Sequence, residues 1–353
     1  MTWETLDWEM LDRLRETFLT GDKTAGPYWH TITDLECYDF TYGERIGWKW
    51  DAVLRELKQR AWAPASGATV LDWGCGSGIA GRRVVEAFGP ANFTRLLVHD
   101  HSQLALDYAE HHARKAFPAL PVERASTRDL RSDEPIGLLV VSHVVNELNE
   151  IARAELAELC ARAQAILWVE PGTHEASRLL GGWREQLRPR FQIVAPCPHQ
   201  AACGVLVAGN ERHWCHFFAP PPMGVYADSG WVKFGQRAGI DLRSLPYSSL
   251  VLDRNPVAAV CDRRSPESDG HRPPLQLSRI IGDAKVFKGY AKVFACDETG
   301  VHDLMLQKRD APVLFKQLKQ GEAPSLHRWT HENGRITRIE SSSHEIPETG
   351  QLD

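Results

Sequence analysis

Apolar positions recur at helical spacing through the first sixty residues, in LDWEMLDRLRETFL and again in GWKWDAVLRELKQRAW. That spacing predicts an N-terminal helical region over residues 1–63. The pattern changes at PASGA (64–68), where TVLDWGCGSG predicts a strand running into a glycine loop and IAGRRVVEAFG a helix closed by Gly89 and Pro90. RLLVHD (95–100), GLLVVSHVV (137–145) and AILWVE (165–170) read as further strands, and PVERAST as a weaker one. SQLALDYAEHHARKAF and NEIARAELAELCARAQ supply helices between them. Strand–helix alternation over about 110 residues predicts a mostly parallel, Rossmann-like α/β sheet covered on both faces, occupying residues 64–190.

The regularity stops after Glu170. HEASRLLGGWREQLR predicts one more helix, followed by a cysteine-rich loop over 191–220. GWVKFGQRAGIDL and YSSLVLDR resume the helix–strand alternation, and GYAKVFACDETGVHDLMLQK (289–308) reads as a β-hairpin turning at Asp297–Gly300. Residues 221–353 are therefore expected to complete the sheet and add a β-rich extension. DRRSPESDGHRPP (262–274) has the composition of a mobile loop.

Composition narrows the classes. With 43% hydrophobic and 25% charged residues the 353-residue chain is globular in character. No stretch approaches the roughly 18 uninterrupted apolar residues of a membrane span, and the acidic start lacks the pattern of a signal peptide. The expectation is a cytoplasmic protein with no membrane partner. Charge is uneven: residues 1–175 hold 18 Lys+Arg against 27 Asp+Glu, residues 176–353 hold 23 against 19. A local basic face on the second half is thus possible despite a net charge of −5, with Arg279, Lys285, Lys288, Lys292, Lys308 and Arg309 as its candidates.

The glycine loop carries the first chemistry. Asp72 closes a strand, and Gly74, Gly76 and Gly78 follow on alternate positions. Glycines let backbone approach a ligand, and the next helix offers unsatisfied N–H groups. Gly76, Gly78 and Gly81 also spell a dinucleotide fingerprint, but Asp72 and Gly74 interrupt the apolar approach that fingerprint needs. The D-x-G-x-G-x-G order instead resembles the first motif of class I S-adenosylmethionine-dependent methyltransferases. The resemblance implies that the loop holds the amino-acid part of the cofactor. It also implies that Asp100, ending RLLVHD, binds the ribose hydroxyls, with His101 or Ser102 lining the adenosine and Asp129 near the adenine. SHVVNEL (142–148) stands where amino-group methylating relatives carry a Pro-Pro-aromatic segment. Ser142, His143 and Asn146 are polar candidates there, His143 being counted with the cofactor pocket. No catalytic residue is assigned.

The second concentration of chemistry is CPHQAACGVLVAGNERHWCHF (197–217), with three cysteines and three histidines beside several prolines. In a chain without secretory character this points to metal rather than disulfides. Cys296, Cys261 or one of His199, His213 and His216 could supply a fourth ligand. An all-thiolate set suits iron–sulfur or zinc, and spacing does not choose between them.

APCPHQAACG…HWCHF, with EPGT (170–173), SHVVNEL, YSSLVLDR and RIIGDAKVFKGYAKVFACDETG, resembles a methyltransferase-like family associated with the small ribosomal subunit in bacteria and mitochondria. The resemblance covers residues from about 65 to 310. It implies a [4Fe–4S] cluster on Cys197, Cys203, Cys215 and Cys296, the last reaching the loop from the C-terminal extension. It further implies small-subunit rRNA as partner, with S-adenosylmethionine as cofactor. Methylation of that RNA, assembly of the subunit, or both would be the function. A non-catalytic RNA-binding assembly factor and a small-molecule methyltransferase with structural zinc are the alternatives, and a monomer is expected off the ribosome. The chain departs from the family in having Cys203-Gly204 where Cys-Pro is common, a longer Cys203–Cys215 interval, and Phe218-Ala219 in place of polar residues.

Overall fold

The computed structural model describes residues 1–20, 28–255 and 275–340, the side chains of Leu19 and Thr20 excepted. Cys261 and the 262–274 loop fall outside the described residues. Contacts divide the chain into two units, Met1–Pro196 with Trp214–Cys261, and Cys197–His213 with Asp262–Asp353.

The first unit opens with α1 (Trp8–Thr20), α2 (Ile32–Tyr38) and α3 (Glu44–Gln59). The alternation then runs β1 (Ala68–Trp73), α4 (Ile79–Phe88), β2 (Phe93–His99), α5 (Gln103–Ala116), β3 (Val122–Arg124), α6 (Thr127–Arg131), β4 (Ile136–Ser142), α7 (Glu150–Arg162) and β5 (Ala163–Pro171). It closes with α8 (His174–Leu187), β6 (Gln192–Ala195), β7 (Phe217–Phe218), α9 (Ser229–Ala238) and β8 (Pro246–Asp253). The sheet order is β3-β2-β1-β4-β5-β8-β6, with β7 also paired to β8. Strands β3 to β5 pair in parallel, while β8 runs antiparallel to both β5 and β6.

This order, with one antiparallel strand beside the edge of a parallel sheet, is that of the class I methyltransferase fold. The central strands read as continuous apolar runs because both faces are covered: Leu138, Leu139, Val140 and Val141 are all fully buried. Helix α3 contributes Trp50, Val53, Leu54 and Leu57 to the same core as β1 and β4. Its chemistry-bearing residues are therefore held against the sheet. The four-residue β6 is a strand that the sequence reading left inside the cysteine loop.

In the second unit, β9 (Gln276–Val286), β10 (Tyr290–Asp297) and β11 (Gly300–Gln307) precede α10 (Pro312–Gln320), β12 (Leu326–Glu332) and β13 (Arg335–Ile339). The five strands close into a barrel in the order β10-β11-β13-β12-β9. Alternation along β10 sends Ala291, Val293 and Ala295 inward to meet Leu304, Leu306, Trp329 and Ile336, while Leu314, Phe315 and Leu318 of α10 join the same core. The expected hairpin is present, Asp297 pairing with Gly300. The sequence reading stopped there and missed the closing pair. Its signal is Asn333-Gly334, both at positive φ between β12 and β13, a turn whose twist suits a hairpin. Three strands, a helix and two strands, with the third and fifth parallel, make the connectivity of an OB-fold.

Candidate functional site

Strand β1 delivers Asp72 to a position with no solvent exposure. One carboxylate oxygen accepts the Gly81 N–H at 2.9 Å. A Cβ at Gly81 would stand 2.6 Å from that oxygen, so the position requires glycine for close packing. The other oxygen, Oδ1, and the hydroxyl of Ser77 are buried and make no hydrogen bond among the described residues. Burial raises the Asp72 pKa to about 7, against the lowering effect of the Gly81 bond and of Arg82. Gly74, Gly76 and Gly78 all take positive φ, a backbone region that other residues enter at a cost. Gly78 then caps α4.

Asp100, just past β2, is bound to this loop. Its carboxylate accepts Gly76 N–H at 2.9 Å and Ser102 N–H at 2.8 Å. A carboxylate has about four lone-pair sites, so acceptor capacity remains after both bonds. His101 is nearby, its Nδ1 at 3.4 Å from Asp100 and its side chain 82% exposed. Asp129 has other partners. It completes a capping box with Ser126 at the start of α6 and pairs with Arg95 at 2.9 Å, which together hold its pKa low against burial.

The ends of β4 and β5 hold a further polar cluster. His143 sits at φ 58°, an uncommon conformation for a bulky side chain and one that recurs at functional sites. Its Nε2 lies 3.2 Å from Lys49 Nζ and its Nδ1 3.3 Å from Ser142 Oγ. With Nε2 accepting from the ammonium, Nδ1 carries the proton and donates to Ser142. Trp50 Nε1–H also donates to that hydroxyl, at 3.0 Å. Burial and then Lys49 push the His143 pKa well below the ordinary value. Lys49 itself is lowered to about 7, by burial first and then by Arg45. Glu170 is raised to about 7 by burial, although Trp168 Nε1–H and the backbone N–H groups of Val144 and Val145 all donate to it.

Lys49 was not found from the sequence. Its only signal is a lysine between two tryptophans, Trp48 and Trp50, on a helix whose flanking positions are buried. Glu170 entered only through its place in EPGT.

The four cysteines divide between the units. Cys197, Cys203 and Cys296 belong to the second and Cys215 to the first. In the second unit, His199 is buried and its Nε2 stands 3.2 Å from Cys296 Sγ. Gly204 packs on the β10–β11 turn, where a Cβ would meet Gly300 and Val301 at 2.9 Å, and His213 stacks on Phe294 at 4.2 Å. In the first unit, the Cys215 carbonyl accepts from Ser248 Oγ at 2.9 Å.

An all-sulfur donor set suits either an iron–sulfur cluster or zinc. Among the described residues, a trio of candidate ligands whose atoms lie within 4.8 Å of one another is Asp297, His302 and His331. The Asp297 trio was absent from the sequence reading. Its carboxylate accepts Thr299 N–H at 2.8 Å and faces His302 at 3.2 Å and His331 at 3.4 Å. Thr299 and His302 hold its pKa low against burial.

Residues 45–322 match the family model described as "Mitochondrial small ribosomal subunit Rsm22". No curated protein matches the chain. Among solved structures, an rRNA methylase from Escherichia coli is 17% identical, with 53% of this chain and 70% of that one covered at a TM-score of 0.33. The N-methyltransferase NodS from Bradyrhizobium japonicum, solved with S-adenosyl-L-homocysteine, is 12% identical over 57% of this chain and 83% of its own, at 0.34. A Thermoplasma acidophilum protein is 12% identical over 64% and 98%, at 0.35. Scores this low leave the fold to be read from the strand order itself. No helix among the described residues is long and apolar enough to cross a membrane.

Proposed function

The chain belongs to the Rsm22 family of the mitochondrial small ribosomal subunit, and on that footing we propose that it is an S-adenosylmethionine-binding protein acting on the small ribosomal subunit and its rRNA. The observation that carries cofactor binding is the bond between Gly76 and Asp100. It fixes a carboxylate with spare acceptor sites beside three glycines in left-handed conformation. Gly74, Gly76 and Gly78 would receive the methionine end, and Asp100 the ribose diol. The buried and unpartnered Asp72 Oδ1 and Ser77 Oγ fit a polar ligand reached directly or through water. His101 is placed to cover the adenosine. His143 closes the floor beyond the strand ends, whereas the committed partners of Asp129 make an adenine contact its lesser role.

When bound, S-adenosylmethionine supplies an electrophilic methyl group. Lys49, His143, Ser142 and Glu170 would then form the wall facing an acceptor. With its pKa near 7, Lys49 has a neutral fraction at physiological pH and can take a proton. That observation favours methyl transfer over the reading in which the fold serves assembly alone. Cys197, Cys203, Cys215 and Cys296 are proposed to hold a [4Fe–4S] cluster, with the His199 ring against Cys296 tuning its sulfur.

Two measurements test the reading. Calorimetry should show S-adenosylmethionine binding that Asp100→Ala weakens at least tenfold; no binding by the intact protein would reduce the glycine loop to a structural turn. Anaerobically purified protein should be brown, with about four irons per chain. A colourless protein with one zinc would remove the cluster.

A further inference from the structure

We propose that the barrel carries a binding site for single-stranded RNA where the β9–β10 turn meets α10. The inference rests on the small-subunit reading above only for the source of the RNA. A cavity of about 640 Å³ lies there, lined by Lys288, Lys308, Lys316 and Lys319 together with Phe287 and Phe315 among others, and by no acidic residue. The lysines come from three places in the chain: the turn, the end of β11 and α10. Lys316 and Lys319 are three residues apart on the helix and so share a face.

All four lysines are exposed, and among the described residues none pairs with a carboxylate. Other charges of the same unit are paired, as with Arg335 on Asp310 at 2.6 Å and Asp297 on its histidines. Four like charges around one cavity repel one another unless an anion joins them. An aromatic surface accompanies them. Phe287 is 43% exposed and stacked on Tyr290 with ring centroids 4.7 Å apart and planes 14° from parallel. Lys308 Nζ lies 5.9 Å from the Phe315 ring centre.

The ligand must therefore be repeatedly anionic and carry flat π faces. An RNA strand has both, through its phosphates and bases. Stacking on Phe287 needs an unpaired base, which selects single strand over duplex. The position agrees with the connectivity, since the loop between the first two strands of an OB-fold takes part in oligonucleotide binding. The fold alone would not carry the proposal. The lysines and the exposed ring do.

Fluorescence anisotropy with a labelled single-stranded decamer, the same sequence as a duplex, and a free mononucleotide tests it on the full chain. The single strand should bind tightest. For single strands each lysine that contacts phosphate contributes about 0.7 to the slope of log affinity against log salt. Replacing Lys288, Lys308, Lys316 and Lys319 together by Gln should therefore flatten that slope by close to 3. Phe287→Ala should weaken binding about tenfold and leave the slope unchanged. Equal affinity for duplex and single strand, or an unaltered slope in the Gln variant, would overturn the site. Circular dichroism and S-adenosylmethionine calorimetry on the same variants show that they remain folded. They also separate the two readings: cofactor binding without RNA binding sinks this site alone, and RNA binding without cofactor binding sinks the methyltransferase reading alone.

Discussion

The two units place their charges in opposite ways. The sheet unit buries Asp72 and Glu170 on its strands and half-buries Lys49 of α3 and His143 beside them, and desolvation draws three of their pKa values to about 7. Among the described residues, the barrel unit buries one carboxylate, Asp297, surrounds it with donors that keep it ionised, and leaves four lysines in water around a cavity. Desolvated groups change state with pH, while solvated charges act through the counterions they displace. The sheet unit should therefore answer to protons and the barrel unit to salt.

The sharpest way to break this contrast is Gly81→Val. The new side chain meets a carboxylate oxygen in a fully packed place, so a loss of roughly 2–4 kcal/mol is expected, read as a lowered denaturant midpoint, together with loss of cofactor binding. Retention of both would mean that Asp72 does not brace the loop. The quadruple Gln substitution on the barrel comes next: RNA affinity at low salt should fall at least a hundredfold with cofactor affinity untouched.

Smaller effects sharpen the comparison. Lys49→Met should remove the group that titrates near 7 beside His143. If methyl transfer occurs, its rate in the wild type should rise as pH increases through about 7, because the neutral amine is the base. The variant should lose most of the rate and the remaining pH dependence at that point, while keeping its affinity for S-adenosylmethionine. The smallest expected effect is on stability. A carboxyl whose folded pKa is raised stabilises the protein when protonated, so the Asp72 contribution is full below about pH 4 and is lost as pH rises to about 7. Asp72→Asn abolishes that loss. Melting temperatures compared at about pH 5 and pH 8 should differ less in the variant than in the wild type.

Much of the sheet unit was legible because its signals are local. An apolar run, an acid and alternate glycines sit within a dozen residues, and Asp100 directly follows the next strand. What escaped depended on distance. Lys49 and His143 are 94 positions apart, and no local pattern marks a lysine as half-buried when the tryptophans beside it already explain the helix face. Asp297 and His331 are 34 apart and meet only once the barrel closes. The lysine cavity escaped for a related reason: the count of basic residues pointed to the second half, but the six candidates named there included only Lys288 and Lys308 of the four. Lys316 and Lys319 join them through the position of α10. The departures at Cys203-Gly204 also gain a local account, since Gly204 lies against the β10–β11 turn with no room for a Cβ.

The path of the chain through the sheet has a consequence for synthesis. Strand β6 ends at Ala195, but β8, the strand it pairs with, begins only at Pro246. At about 5–20 residues per second, a ribosome making this chain exposes β6 and the free edge of β5 for roughly 3–10 s before the strand that covers both has emerged. An uncovered edge of hydrophobic strands is a template for pairing with other chains. Nascent chains stalled between these points are where chaperone capture and aggregation should concentrate, and release of the edge depends on completion of eight residues, PYSSLVLD.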